Sequence, residues 1–304
     1  MSIKEYPPQH NENASSPHIP VLLDAALAQL QPKKGETYLD LTAGYGGHAS
    51  KVLEVTENYE GSVLVDRDEN AIKHLQKLSD KGATLMHTDF ATAAKELASE
   101  GKTFDMIMVD LGVSSPQLDL SERGFSFTHD GPLDMRMDQR QSLSAYTLVN
   151  KASVQELTGI IHKYGEEPRN NAQRIAMSIA SHRPIENTKQ LAEIILGLHR
   201  GKWQKVHPAT RTFQALRIAV NDELGQVESM LKLIPSLLNK GGRVAVISFH
   251  SLEDRLVKHS FKEQFDAGLE AELDPLTKKP ISGATDDVHN PRARSAKLRA
   301  AVKK

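Results

Sequence analysis

A glycine-rich turn set between two signals of regular structure limits most what this chain can fold into. Tyr38–Leu41 is a short apolar strand pattern, and Asp40-Leu41-Thr42-Ala43-Gly44-Tyr45-Gly46-Gly47-His48 runs from it into a helical pattern over His48–Val55. Glycines at these places permit a tight turn and a close approach of backbone to a ligand, because no Cβ intervenes. The same rhythm then repeats. Ser62–Asp66 reads as a second strand, Glu69–Leu78 as a helix, Ala83–His87 as a third strand, Ala91–Ser99 as a helix and Phe104–Leu111 as a fourth strand. Continuous apolar runs alternating with helices predict a parallel sheet buried on both faces.

After Leu111 the pattern changes. Residues 112–141 carry scattered glycines and prolines without periodicity, a loop of a length that is usually functional or disordered. Arg123, Phe125, Phe127 and Arg136 within it favour function. A helical stretch follows: Ser153-x-x-Glu156 is a capping box, Asn187 or Thr188 caps another helix, and Pro208 opens a third. The α/β rhythm then resumes with a helix at Glu223–Leu238, a turn at Gly241-Gly242, a fifth strand at Arg243–Ser248, and a late edge strand at Ser295–Val302. These boundaries divide the chain into a flexible tail (1–17), an α/β domain (18–118 and 221–304) and an inserted helical substrate-binding domain (119–220). At 304 residues the chain is long enough for such cores. The tail has no apolar core and no stretch is long enough to span a bilayer, so a cytoplasmic protein is expected. The 13 histidines show no metal-ligand spacing, and no metal is expected.

The glycine turn fits two ligands. Gly44-x-Gly46-x-x-Ala49 satisfies a dinucleotide fingerprint, and Asp66, 22 residues after Gly44, stands where a ribose-binding carboxylate belongs. Asp40 before the glycines and Asp110 at the end of strand four point instead to S-adenosylmethionine (AdoMet), whose enzymes gather carboxylates at these strand ends. An NAD-dependent oxidoreductase remains the alternative on these residues.

Longer motifs carry a resemblance. They include 18–24 (His-Ile-Pro-Val-Leu-Leu-Asp), the glycine turn, 110–119 (Asp-Leu-Gly-Val-Ser-Ser-Pro-Gln-Leu-Asp), 122–127, 131–138, 207–218, 247–255 and 290–295. In this ordered set the chain resembles the RsmH (MraW) family of bacterial 16S rRNA cytosine-N4 methyltransferases, from His18 to Arg299. It departs at 168–172, which is longer, and at 261–287, which is shorter than in many members. The resemblance implies a class I AdoMet-dependent fold, Rossmann-like with a mostly parallel sheet and an inserted all-helical substrate-recognition domain. It implies methylation of N4 of a cytidine in the decoding centre, position 1402 of 16S rRNA in the usual numbering. By motif match, AdoMet contacts fall on Gly46, Gly47, His48, Asp66, Phe90, Asp110 and Gln117, beside the Asp40 and Gly44 read from the turn itself.

A cytosine amine is a poor nucleophile and needs alignment and hydrogen-bond acceptors rather than a covalent intermediate. Asp110 with Ser114, Ser115 and Pro116 is the expected catalytic group, with Phe125 or Phe127 stacking on the base. The chain has no cysteine, so it lacks the thiolate that C5 methylation of cytosine usually needs. Net charge is −1, so RNA contact must be local. One candidate patch holds Arg200, Lys202, Trp203, Lys205, Arg211 and Arg217, with no acidic residue between Glu193 and Asp222; another holds Arg292, Arg294, Lys297, Arg299, Lys303 and Lys304. The expected partner is 16S rRNA within the small ribosomal subunit, with a homodimer left open. A non-catalytic assembly factor is the rival outside enzymology.

Overall fold

The computed structural model describes residues 20–199 and 207–304, apart from the side chains of Ser115 and Pro116. Its strands are β1 (Tyr38–Asp40), β2 (Ser62–Asp66), β3 (Thr84–His87), β4 (Phe104–Asp110), β5 (Leu238–Ser248), β6 (Leu273–Pro275), β7 (Ile281–Ser282) and β8 (Lys297–Lys303). They form one sheet in the order β3-β2-β1-β4-β5-β8-β6, with β7 also paired to β8. The first five are parallel; β8 runs antiparallel to β5 and to β6. This is the mostly parallel α/β sheet expected.

Strand β4 shows why the sheet is buried on both sides. Ile107 and Val109 point into one core with Leu39, Val65, Phe90, Val246 and the helix Glu223–Leu237. Met106 and Met108 point into the opposite core with Tyr38, Leu64, Ala245 and Leu298. Alternate residues thus face different apolar layers, and the strand needs an unbroken apolar run.

Three expectations differ from the structure. The late strand is no edge: β8 lies between β5 and β6, and its Leu298, Ala300 and Ala301 are fully buried. Arg299, placed in a candidate RNA patch, is buried against Asp254, with Nε 2.7 Å from Oδ1. Gly241-Gly242 lies within β5, at a register shift opposite Phe104 and Met106. The 112–141 loop contains a short helix (Ser115–Asp119) and a 3₁₀ turn (Ser121–Arg123).

A third core is built wholly from residues 125–220, among them Leu133, Leu157, Ile161, Ile179, Leu191, Phe213 and Leu216. The Ser153–Glu156 capping box is present, and Asn187 caps the helix Thr188–Gly197. The helix expected from Pro208 begins at Thr210 and ends at Asn221. Asp222, in the left-handed region at φ 47°, turns the chain directly into the helix Glu223–Leu237 of the α/β layers. No helix among the described residues is long and apolar enough to cross a membrane.

Candidate active site

The strand order reverses between β1 and β4, which opens a crevice at their carboxyl ends. A cavity of about 840 Å³ lies there. Its walls are the glycine turn, Asp66–Asp68 after β2, Asp89 and Phe90 after β3, Asp110–Ser114 and Gln117 after β4, and Phe249, His250 and Glu253 after β5. Gln214 and Arg217 of the helix Thr210–Asn221 reach the same cavity.

The glycines act differently from one another. Gly44 has φ 52°, and a Cβ there would meet nothing nearer than 3.9 Å, so the turn's conformation is what requires it. At Gly46 a Cβ would press on Leu75 and Leu78, at 3.2 and 3.3 Å. At Gly47 it would lie 2.5 Å from Cγ of Pro20. The last two make room for the chain's own packing.

Asp66 holds the turn in place. Its Oδ2 accepts from the Gly44 amide at 2.8 Å and its Oδ1 from the Asp68 amide at 2.8 Å. A carboxylate has about four acceptor positions, so acceptor capacity remains for ligand hydroxyls. Burial raises its pKa above the ordinary carboxylate value. Phe90 opens the helix Phe90–Ser99, capped by Asp89, and is buried at the cavity wall.

Asp40 stands under the turn rather than on the cavity wall. It is 1% exposed, takes the Tyr38 hydroxyl at 2.8 Å and the Thr42 amide at 3.1 Å, and burial pushes its pKa up to about 7. Its task is therefore to shape the turn. Asp110 does line the cavity. Burial, then the charges of Asp40 and Glu253, hold its carboxyl well above the usual range, and its buried Oδ1 has no hydrogen-bond partner. His48 lies opposite, with Nδ1 3.9 Å from Asp110 Oδ2.

Gln117 is a brace. Its Oε1 accepts from the Ser114 amide at 3.0 Å and its Nε2 donates to Asp68 at 2.9 Å. Arg123 donates to the same Asp68 oxygen at 2.8 Å and to the carbonyls of Arg136 and Met137. The sequence expectation sets Arg123 and Phe125 against RNA, whereas the structure places both inside, 4% and 7% exposed. Phe127 packs on His207 and Phe213, with centroids 4.7 and 4.8 Å away. Arg136 pairs with Asp134, Arg217 with Glu223, Arg211 at 3.5 Å with Glu167, and Arg292, at the cavity wall, with Asp119. Arg294 is exposed. Lys202, Trp203, Arg200 and Lys205 lie outside the described residues, as do the side chains of Ser115 and Pro116.

Residues 250–254 read as a strand-end turn near the cleft, and His250 and Glu253 do line the cavity, but the sequence does not show that Glu223 joins them in a second cluster. Glu223, His250 and Glu253 bring ligand-type atoms within 4.8 Å of one another. They do not suit a metal ion. His250 Nδ1 accepts from the Glu253 amide as a helix cap, so Nε2 carries the hydrogen, and Arg217 holds both Glu223 oxygens at 2.9 and 2.8 Å. Glu253 Oε2 takes the Phe249 amide at 2.8 Å. The His-x-x-Glu spacing of a capping box was the readable signal, obscured because histidine is an unusual cap.

A family model described as the MraW methylase family matches residues 15–304. The chain belongs to that family. Its members are AdoMet-dependent methyltransferases, so the methylase reading replaces both the oxidoreductase and the non-catalytic one. Among MraW relatives, "Ribosomal RNA small subunit methyltransferase H" of Cyanothece sp. is 48% identical, covering 93% of this chain and 94% of its own length. The protein of the same name from Acidobacterium capsulatum is 44% identical, covering 94% and 98%. An rRNA methylase structure from Streptococcus thermophilus aligns at TM-score 0.40 and 11% identity over 92% of this chain and 93% of that one. At that score the likeness adds nothing to what the strand order carries.

The lining suits AdoMet. Asp66 retains acceptor capacity for ribose hydroxyls, Phe90 offers an apolar wall, and the unpartnered Asp110 oxygen with the carboxylates around it favours a cationic ligand.

Proposed function

We propose that this protein methylates N4 of a cytidine in the decoding centre of 16S rRNA, at position 1402 in the usual numbering, by direct in-line attack without a covalent enzyme intermediate. AdoMet supplies an electrophilic methyl group. The observation that carries the reading is the Asp110 carboxyl at the cavity wall, with a buried oxygen lacking any partner. A cytosine amine donates hydrogen bonds, and an acceptor fixed beside it orients the nitrogen lone pair and receives charge as the nitrogen becomes tetrahedral. Ser114, Ser115 and Pro116 belong to the loop after Asp110 and contribute further acceptors. The absence of cysteine favours an amine over ring carbon.

In this reading residues 18–118 and 221–304 hold the donor, while 119–220 chooses the base. Gln214 and Arg217 bring that helical segment to the cavity. Phe127, Arg136, Arg211, Arg292 and Arg294 remain candidates for RNA contact, with Lys202 and Trp203. The names of the relatives support small-subunit rRNA as substrate, and a cytoplasmic ribosomal subunit is the setting in which that RNA is found. Methyl transfer to naked 16S RNA, compared with transfer to intact small subunits, tests the substrate. The account expects labelling of at least one. Labelling of neither, with the protein folded and the cofactor bound, overturns it.

A further inference from the structure

His48 faces Asp110 across the glycine turn. It lies in the first turn of the helix Gly47–Thr56, is 8% exposed, and sets its Nε2 3.0 Å from the Val21 carbonyl. A carbonyl only accepts, so Nε2 carries the hydrogen, and this fixes the ring with Nδ1 turned to Asp110 Oδ2 at 3.9 Å. On its other side Asp110 is anchored through its backbone, whose N–H donates to the Thr42 hydroxyl.

We propose that His48 and Asp110 work as a pair, His48 being the positioning residue that keeps the Asp110 carboxyl able to take the proton of the reacting amine. This rests on the amine reading above and deepens it.

The surroundings give the pair its purpose. Asp40 and Tyr38 approach Asp110 from β1, and Glu253 approaches from the helix Ser251–Asp266. Glu253 in turn has His250 against it and Arg217 nearby, the latter paired to Glu223. Burial and the like charges of Asp40 and Glu253 favour the acid form of Asp110, which cannot accept a proton. His48 offsets this as the imidazolium, with a second proton on Nδ1 facing Oδ2 at 3.9 Å; the neutral ring, with its only hydrogen on Nε2, would not. As the new C–N bond forms, the donor's C–S bond breaks and its electron pair leaves on sulfur. The nitrogen, then positively charged, gives one proton to Asp110 Oδ2, beside His48 Nδ1, and the open cavity returns it to water.

His48→Gln tests the pair, because a glutamine amide still donates to the Val21 carbonyl but does not titrate. The readouts are the pH profile of kcat at saturating RNA and AdoMet, the affinity for S-adenosylhomocysteine, and the melting temperature. At pH 7, kcat is expected to fall about tenfold or more and to recover toward pH 9, the acid limb moving up by about one pH unit. Affinity for S-adenosylhomocysteine reports separately on the cofactor contact that the motif match gives His48, and kcat is read with AdoMet saturating. A profile that superimposes on wild type overturns the inference. So does an equal loss at every pH with the acid limb unmoved, which marks a role in cofactor binding or structure alone. If the melting temperature of the glutamine variant falls sharply, His48→Asn is read the same way. A wild-type product other than an N-methylated base defeats the amine reading instead, whatever the variant's profile.

Discussion

Replacing Arg123 by methionine should unfold the 114–141 loop from the α/β layers rather than simply weaken RNA binding. Arg123 and Asp68 form a buried pair, with side chains 5% and 6% exposed and a 2.8 Å contact. Burial alone would raise the Asp68 carboxyl, yet Gln117 and Arg123 together hold it below its ordinary value. Removing one partner of a buried pair typically costs about 3–5 kcal/mol. Asp68 keeps Gln117 and the Asn70 amide, so the lower end, about 3 kcal/mol, applies. The carbonyls of Arg136 and Met137 also lose a donor, at about 1 kcal/mol or more each if left dry. For a chain of this size, about 2 °C per kcal/mol turns this into a fall in Tm of about 6–10 °C. Thermal unfolding followed by circular dichroism reads it directly. Asp68→Asn combined with Arg123→Met should cost clearly less than the two single losses added, since each removes the same pair. An unchanged Tm with weaker RNA binding and a shallower salt dependence would refute the reasoning and return Arg123 to a phosphate.

Two further outcomes follow from the same geometry. Asp40 has its pKa raised to about 7 by burial, so it is stabilising in its protonated form and that contribution fades as pH rises from about 4 to about 7. Asp40→Asn should therefore gain on wild type by roughly 2–3 kcal/mol between pH 5 and pH 7 in urea unfolding, and a pH-independent difference would remove the assigned shift. Gly124 has φ 69°, and a Cβ there would lie 2.0 Å from the Pro132 carbonyl oxygen. Gly124→Ala should lose methyl transfer while keeping S-adenosylhomocysteine binding in calorimetry, because the clash lies in the loop and not in the cofactor cradle.

Much of the α/β core was legible because its signal is local. Ser62–Asp66 is a strand at the residues read, since an apolar run bounded by Gly61 and Asp66 has one reading in a doubly covered sheet. The Ser153 box likewise needs only four residues. What failed was long-range. Arg299 looks like a surface charge until Asp254, 45 residues earlier, is brought beneath it. Arg123 and Phe125 look like RNA contacts in a loop until Asp68, 55 residues earlier, draws the arginine inside. At the site, spacing located Asp66 and Asp110, but not the division of labour between Asp40 beneath the turn and Asp110 on the wall. Both carboxyls leave the face that carries Tyr38, Met106 and Met108, but Asp40 lies opposite Met108, two residues short of Asp110, and so stops beneath the turn. The meeting of Glu223 with His250 and Glu253 was hidden because Glu223 comes from another helix, 27 residues before His250.

The most direct test of the central claim is nucleoside mass spectrometry of 16S RNA after reaction with AdoMet carrying a deuterated methyl group. The account predicts the label in N4-methylcytidine at the decoding-centre cytidine, and its loss with Asp110→Asn. Label on C5 of cytosine, on a ribose hydroxyl or on another base would contradict it.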